Sequence, residues 1–130
     1  MRFLCVSVLS VAVTLFVPPV AISKTMSKPL DGYECRMLNI TAQQSMDFNF
    51  HVPVRSEPSE SAPEVGWASA VIIVKTPAIA ENGFLQMLFP NGKTVWIAAS
   101  DTKAYRPVSD PSAKCQPEIL PNGRIGFGAE

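Results

Sequence analysis

The chain has 130 residues, and its 11 basic and 11 acidic side chains give a formal net charge of +0 at pH 7. A protein that binds nucleic acid or an anionic membrane surface needs clustered Lys and Arg, and this sequence has no such cluster. Hydrophobic residues make up 47% of the sequence, which at this length predicts one domain with a single core.

The first 23 residues have the organisation of a secretory signal peptide. Arg2 supplies a positive start, residues 3–17 are mostly apolar, and two prolines follow. Ala21 and Ser23 then place small side chains at the −3 and −1 positions of a cleavage site. The apolar run is short for a membrane span, so the sequence predicts a cleaved signal peptide rather than a retained anchor. The mature chain, residues 24–130, is expected to be periplasmic or secreted, without a membrane span, and has a net charge of −1.

The cysteine pattern predicts one disulfide. Cys5 lies within the predicted signal peptide, which leaves Cys35 near the start of the mature chain and Cys115 near its end. In an oxidising compartment these two are expected to pair, the alternative being two unpaired buried thiols. Closing a loop of about 80 residues would stabilise the fold by about 4.5 kcal/mol in the chain-entropy description.

Residues 24–47 are predicted to form an N-terminal flank. A polar leader is followed by residues 34–40, which fit a short strand. Residues 41–46 fit one or two helical turns with Thr41 as the N-cap. The pattern of this flank leaves helix and strand both open.

From Phe48 onwards the hydrophobic period becomes two. Phe48, Phe50, Val52 and Val54 alternate with less apolar residues, as expected for a half-buried strand. Pro53 cannot donate a hydrogen bond to a neighbouring strand, and it therefore predicts that this strand lies at a sheet edge or a bulge.

Further short strands are predicted up to residue 108. They are separated by turn signals, of which Asn91-Gly92 is the strongest because this pair favours tight hairpins. Short strands without an amphipathic helix predict a small all-β barrel or sandwich. The predicted strands are 70–75, 84–89, 94–98 and 103–108, with a single tight turn at 99–102.

Residues 109–130 are rich in Pro and Gly. This composition predicts a C-terminal tail with little regular structure, in which Cys115 holds the middle and the last dozen residues are mobile.

Residues 54–98 carry an ordered set of motifs that resembles the bacterial SH3 (SH3b-type) family. Val54–Gly66 is similar to its opening "V-R-x-x-P-S … x-P-V-G", Asn82–Met87 to its "G-W-x-x-V" strand, and Asn91–Ile97 to its "x-G-x-x-G-W-[IV]" hairpin. The resemblance implies an SH3-like barrel of five to six short strands over residues 48–108, with irregular N- and C-terminal flanks joined by the disulfide. Exported bacterial modules of this family often attach to peptidoglycan or its stem peptides, or serve as docking domains.

The residue types that catalysis requires are scarce. An enzyme needs a nucleophile beside a base, a metal cluster or a pair of acids with separated pKa values. His51 is the only histidine and alternates with apolar residues, so a solvent-facing or partly packed side chain is expected. Glu57, Glu60 and Glu64 fall in a proline-containing loop. No catalytic residue, metal site or cofactor is predicted, and a small secreted enzyme or inhibitor would require a polar cluster around His51.

The candidate ligand-binding residues are mostly aromatic. Trp67, Phe84, Trp96 and Tyr105 stand at predicted strand ends and beside loops, where they could stack on a sugar or pack against a peptide. In so small a barrel at least half of them are expected to be core, with Trp96 predicted in the core and Trp67 on the surface. Arg55 could bind a carboxylate of a stem peptide or pair with a glutamate of the loop that follows it.

Two functions fit these patterns. The first is an exported binding module that recognises peptidoglycan or a stem peptide in a groove between residues 56–66 and 76–83. The second is a periplasmic accessory protein that docks on an envelope protein through an edge strand, such as residues 48–55, or through its tail. An apolar patch larger than about a few hundred Å² away from the groove would favour the second function.

Overall fold

The computed structural model describes residues 11–18 and 26–129. Within these residues the chain forms ten strands in two antiparallel sheets, which confirms the all-β prediction. Residues 11–18 are an exposed stretch without regular structure, and the rest of the predicted signal peptide, with Cys5 and the cleavage site, lies outside the described residues. Across the described ranges we find no helix with the length and apolar character needed to cross a membrane.

The elements are β1 (Lys28–Pro29), β2 (Tyr33–Leu38), α1 (Ala42–Met46), β3 (Pro53–Arg55), β4 (Glu64–Trp67), β5 (Val71–Lys75), β6 (Phe84–Leu88), β7 (Thr94–Ala98), a 3₁₀ helix (Ala99–Asp101), β8 (Thr102–Ala104), β9 (Cys115–Ile119) and β10 (Ile125–Ala129). The larger sheet has seven strands in the order β4-β3-β7-β6-β5-β2-β8, and the smaller has three in the order β1-β9-β10. The larger sheet is open, with β4 and β8 at its edges. It has more strands than the five to six expected because residues of the N-terminal flank join it as β2.

One face of the larger sheet forms the hydrophobic core. Val54, Val74 and Ile97 are completely buried there, and each is worth about 1.5–3 kcal/mol relative to an exposed side chain. The alternation of β6 and β7 places every second residue on this face, as expected for half-buried strands. The core residues are Leu38, Val52, Val54, Ile72, Val74, Leu85, Met87, Val95 and Ile97.

Short-range sequence signals predict two local structures correctly. The Asn91-Gly92 turn joins β6 to β7, with Gly92 at φ +82° and its N–H donating to the Phe89 carbonyl at 2.8 Å. Helix α1 begins with the predicted cap: the Thr41 hydroxyl accepts from the Gln44 N–H at 3.1 Å, and the Gln44 side chain accepts from the Thr41 N–H at 2.9 Å. This reciprocal capping box supplies partners for donors that a five-residue helix cannot satisfy internally.

The strand predicted from Phe48 begins only at Pro53. Residues 47–50 form a turn instead of extended strand. The Asp47 side chain accepts from the Asn49 N–H at 2.9 Å, and the Asp47 carbonyl accepts from the Phe50 N–H at 3.1 Å. Phe48 and Phe50 are consequently exposed. Of the two positions that Pro53 predicted, the edge is wrong, since β3 pairs with β4 on one side and β7 on the other. The predicted bulge agrees with the register shift between Val54 and Arg55, next to Pro53.

The C-terminal segment differs most from its prediction, because residues 115–129 form the hairpin β9–β10 instead of an irregular tail. Its turn repeats the chemistry of the first hairpin: Pro121-Asn122-Gly123-Arg124 parallels Pro90-Asn91-Gly92-Lys93. Gly123 has φ +80° and donates to the Leu120 carbonyl at 2.8 Å, and Leu120 donates to the Arg124 carbonyl at 2.8 Å. The glycines that suggested disorder are thus strand and turn positions.

The predicted disulfide between Cys35 of β2 and Cys115 of β9 is confirmed, with a Cα–Cα distance of 6.0 Å. It joins the two sheets. Pro117 of β9 is fully buried, and its carbonyl accepts from the Leu30 N–H at 2.8 Å. Ile73, which faces away from the main core on β5, is also buried. The small sheet therefore covers the outer face of the larger one near β2 and β5.

Replacing Cys35 and Cys115 together with alanine is expected to lower the free energy of unfolding by about 2–5 kcal/mol, because the unfolded chain regains the entropy of a long open loop. Urea unfolding of the variant and of the reduced wild type should show the same loss. Equal midpoints for oxidised wild type and the double variant would contradict this role.

Val54→Ala is expected to cost about 2 kcal/mol of stability, because it removes two methyl groups from a completely buried position and leaves a cavity. Val108→Ala is the matched control: Val108 is 95% exposed, and its truncation should change the free energy of unfolding by less than about 0.5 kcal/mol. Both values can be read from urea unfolding, and equal losses would show that Val54 is not a core residue.

Candidate functional site

A cleft of about 460 Å³ lies beside the loop of residues 76–83, on the face of the larger sheet opposite the core. We call it the Trp96 cleft. Trp96 alternates with the buried Val95 and Ile97 on β7, so its ring points away from the core. Six of the lining residues matter for the chemistry of the cleft: Lys75, Pro77, Ile79, Glu81, Gln86 and Trp96.

The floor of the cleft is set by strand register. Trp96 is paired across the sheet with Gln86 of β6 on one side and Arg55 of β3 on the other. Residues directly opposite each other in antiparallel strands point to the same face. These three side chains therefore form one row on the outer surface, with the indole at its centre.

The loop between β3 and β4 is held against this face by three hydrogen bonds. Arg55 Nη1 donates to the Ala62 carbonyl at 2.9 Å, and the Ser56 N–H donates to the Pro63 carbonyl at 3.1 Å. At its tip the loop meets the opposite loop, where Asn82 Nδ2 donates to the Pro58 carbonyl at 3.3 Å. The segments 56–66 and 76–83 thus touch. The Trp96 cleft lies beside the second segment only, and no residue of 56–66 lines it.

The cleft has an apolar centre and two exposed charges. Ile79 is 74% exposed and stands with Pro77 and Trp96, while Lys75 and Glu81 supply one positive and one negative group. Within residues 11–18 and 26–129 the only ion pair is Glu34–Arg36, at 3.8 Å, so the cleft charges have no protein partner. Such a surface can take an apolar side chain together with a carboxylate and an amine.

The five predicted binding residues lie in different places. Trp96 is half-buried in the cleft, so its assignment to the core is wrong. Arg55 supports the loop through Ala62 and forms no ion pair with any glutamate that the structure describes. Phe84 is only 6% exposed and does not line the cleft, and Tyr105 lines a separate cleft beside the disulfide. Trp67 is 63% exposed on β4, as predicted, but belongs to another surface.

Trp67 forms a pair with His51 that the sequence did not suggest. The two rings stack with centroids 4.0 Å apart and an interplanar angle of 24°. They meet because β3 and β4 form a hairpin in which Pro53 lies opposite Trp67 and the Ala68 N–H donates to the Val52 carbonyl at 2.9 Å. Only the register of that hairpin brings residues 51 and 67 together, so no local sequence signal could have revealed the pair.

Among the residues that the structure describes, no three His, Cys, Asp or Glu side chains are grouped so that they could hold a metal ion. Comparison of the chain with protein-family models, with curated proteins and with solved structures finds no match.

Arg55→Met is expected to loosen the 56–63 loop, because the Ala62 carbonyl loses a hydrogen bond from a charged donor. Hydrogen exchange of the loop amides should accelerate by about tenfold, while β6 and β7 keep their protection. Arg106→Met, at an exposed position, is the matched control. Unchanged exchange in the loop of the Arg55 variant would contradict the assignment.

Proposed function

We propose that this chain is an exported, non-enzymatic binding module with an SH3-like fold, and that it holds a short peptide in the Trp96 cleft. The stem peptide of peptidoglycan is the ligand class we propose. The observation that carries the proposal is the make-up of the cleft: it lies beside the loop of residues 76–83, with an aromatic floor and one charge of each sign at its sides.

The SH3-like fold is supported by how the resembling segments pack. Val54–Gly66 contains most of the β3–β4 hairpin, and residues 82–97 contain most of the β6–β7 hairpin. The two hairpins are joined directly by β3 and β7 at the pair Arg55 and Trp96. Segments that carry an ordered family resemblance thus form one continuous part of the sheet, with the proposed ligand site on its outer face.

The chemistry of the cleft favours a peptide that carries both charges. Lys75 can bind a carboxylate, Glu81 can bind an amine, and the ring of Trp96 can pack against an aliphatic side chain. Stem peptides supply carboxylates next to small aliphatic side chains. Lys75 takes the role expected of Arg55, because the Arg55 guanidinium is already bonded to the Ala62 carbonyl.

Export is supported by two independent features. The disulfide Cys35–Cys115 is of a kind that persists in oxidising compartments, outside the cytosol. The first 23 residues have the charge, apolar run and small residues of a signal peptide. The periplasm or the outside of the cell would bring the module into contact with the cell wall.

The alternative function is docking on an envelope protein, through residues 48–55 as an edge strand or through the C-terminal segment. The structure does not support the first of these. Residues 48–55 do not form an edge strand, since β3 has neighbours on both sides. The C-terminal segment lies at an edge of the small sheet as β10, where the first residue, Ile125, donates to the Pro90 carbonyl. Failure of the peptide experiment below would direct attention to that edge.

The proposal is tested by titrating the protein, produced as the full chain through an export pathway so that the disulfide forms, with a synthetic stem peptide. Isothermal calorimetry should give saturable binding. Trp96→Ala is expected to weaken it by about tenfold or more, because the apolar floor is lost. Lys75→Met should weaken binding in the same direction and reduce its dependence on salt.

Two controls make this result specific. Trp67→Ala removes the other tryptophan, and Lys103→Met removes an exposed lysine on the edge strand β8. Both variants should bind the peptide as the wild type does. Absence of wild-type binding at low and moderate salt would overturn the peptide ligand, and crosslinking in the intact envelope would then identify protein partners.

A further inference from the structure

The indole of Trp67 is exposed yet held in place. Its Nε1 donates to Glu64 Oε1 at 3.0 Å, and the imidazole of His51 stacks against the ring. An exposed tryptophan that is already oriented loses little rotamer entropy when a ligand packs on it. Trp67 is 63% exposed, but its neighbours fix the orientation of its ring, so the side chain does not rotate freely.

Trp67 also borders two shallow clefts. Together with the ring, these clefts form an apolar surface that extends beyond Trp67 itself. One cleft, of about 240 Å³, contains His51 and Phe50. The other, of about 200 Å³, contains Phe89 and Phe127. Neither shares a lining residue with the Trp96 cleft, so this surface is separate from the proposed peptide site.

The strand that carries Trp67 is poorly suited to pairing with another chain. β4 is an edge strand of four residues, it follows Pro63, and its pairing with β3 shifts register between Val54 and Arg55. A short, bulged edge next to a proline and an exposed glutamate is typical of edges that avoid strand addition. A ligand of this surface would therefore use the ring and not the backbone.

The charge beside the ring selects against phosphate ligands. The Glu64 carboxylate contacts the indole directly and would repel a nucleotide or an anionic lipid headgroup. The same carboxylate can accept hydrogen bonds from hydroxyl groups, while the His51 ring supports one face of the indole. An apolar plane with a hydroxyl-binding carboxylate at its rim matches a neutral pyranose, whose C–H groups lie on its face and whose hydroxyls lie at its edge.

We propose that Trp67, with His51 and Glu64, is a second binding site that stacks a sugar ring of a β-linked N-acetylhexosamine chain. A β-linked chain is a flat ribbon, and neighbouring sugars would follow the apolar surface from Phe50 past Trp67 towards Phe127. The identity of the sugar rests on the proposed function, in which the glycan strand of peptidoglycan is the source of such a chain. The site is independent of the peptide site, because the two use different residues.

The test uses the fact that Trp67 and Trp96 are the only tryptophans in the chain. In the full chain with Trp96→Phe, all tryptophan fluorescence comes from Trp67. Titration with tetra-N-acetylchitotetraose should give a saturable change in that fluorescence. In the Trp67→Phe protein, which reports only Trp96, the same sugar should leave the fluorescence unchanged. Maltotetraose, whose α-linked chain is curved, should bind at least about fivefold more weakly.

Three further variants, measured by calorimetry with the same sugar, separate stacking from folding. Trp67→Ala should weaken binding by about tenfold or more, as expected when one stacking platform is lost. His51→Ala should weaken binding several-fold, and His51→Phe should restore it because the ring behind the indole is retained. Circular dichroism and unfolding midpoints of the variants would verify that each one folds.

The proposal is overturned if the Trp67 fluorescence does not respond up to about 10 mM sugar, a concentration at which even a weak site fills. It is also overturned if Trp67→Ala binds the sugar as tightly as the wild type. A concentration-dependent dimer that disappears in Trp67→Ala would assign the surface to a second copy of the chain instead. None of these outcomes bears on the stem peptide, whose binding depends on Trp96 and Lys75.

Discussion

The pairing of β3 with β7 is the contact on which the rest of the structure depends. It joins the hairpin β3–β4 to the hairpin β6–β7 at the register pair of Arg55 and Trp96. On the inner face, the neighbouring residues Val54 and Ile97 are completely buried in the core. On the outer face, the paired residues form the floor and the loop support of the Trp96 cleft. Because strand residues alternate between faces, the same contact builds core and site together.

The second sheet determines which part of the outer face stays open. The disulfide, the buried Pro117 and the bond from the Ile125 N–H to the Pro90 carbonyl at 2.8 Å fix the small sheet at one end of the larger one. Residues such as Ile73 are covered there, whereas Trp96 and Gln86 remain at the surface of a cleft. A covalent link and a few backbone hydrogen bonds thus confine the exposed outer face to the region beside the two loops.

The two tryptophans show two ways of presenting an aromatic ring. Trp96 lies within a central strand and is half-buried, so that it can form the floor of a cleft for an apolar side chain. Trp67 lies on an edge strand and is exposed, but Glu64 and His51 fix its orientation. A ring that is oriented before the ligand arrives binds at a lower entropic cost, and Trp67 is oriented in this way. In the proposed function, one would bind peptide and the other sugar of the same wall.

Features that depend on a few neighbouring residues were determined by the sequence alone. The strands β5 to β7, the Asn91-Gly92 turn, the Thr41 cap and the identity of the only cysteine pair follow from period, turn chemistry and counting. The second Pro-Asn-Gly turn, at residues 121–123, was equally readable as the start of a hairpin, but the surrounding glycines and prolines concealed it. What only the tertiary structure decided is which distant residues meet: His51 with Trp67, Arg55 with Ala62, and the small sheet with the outer face. These contacts arise from strand register and loop closure, which depend on the free energy of the whole fold. They cannot be read from a short segment of the sequence.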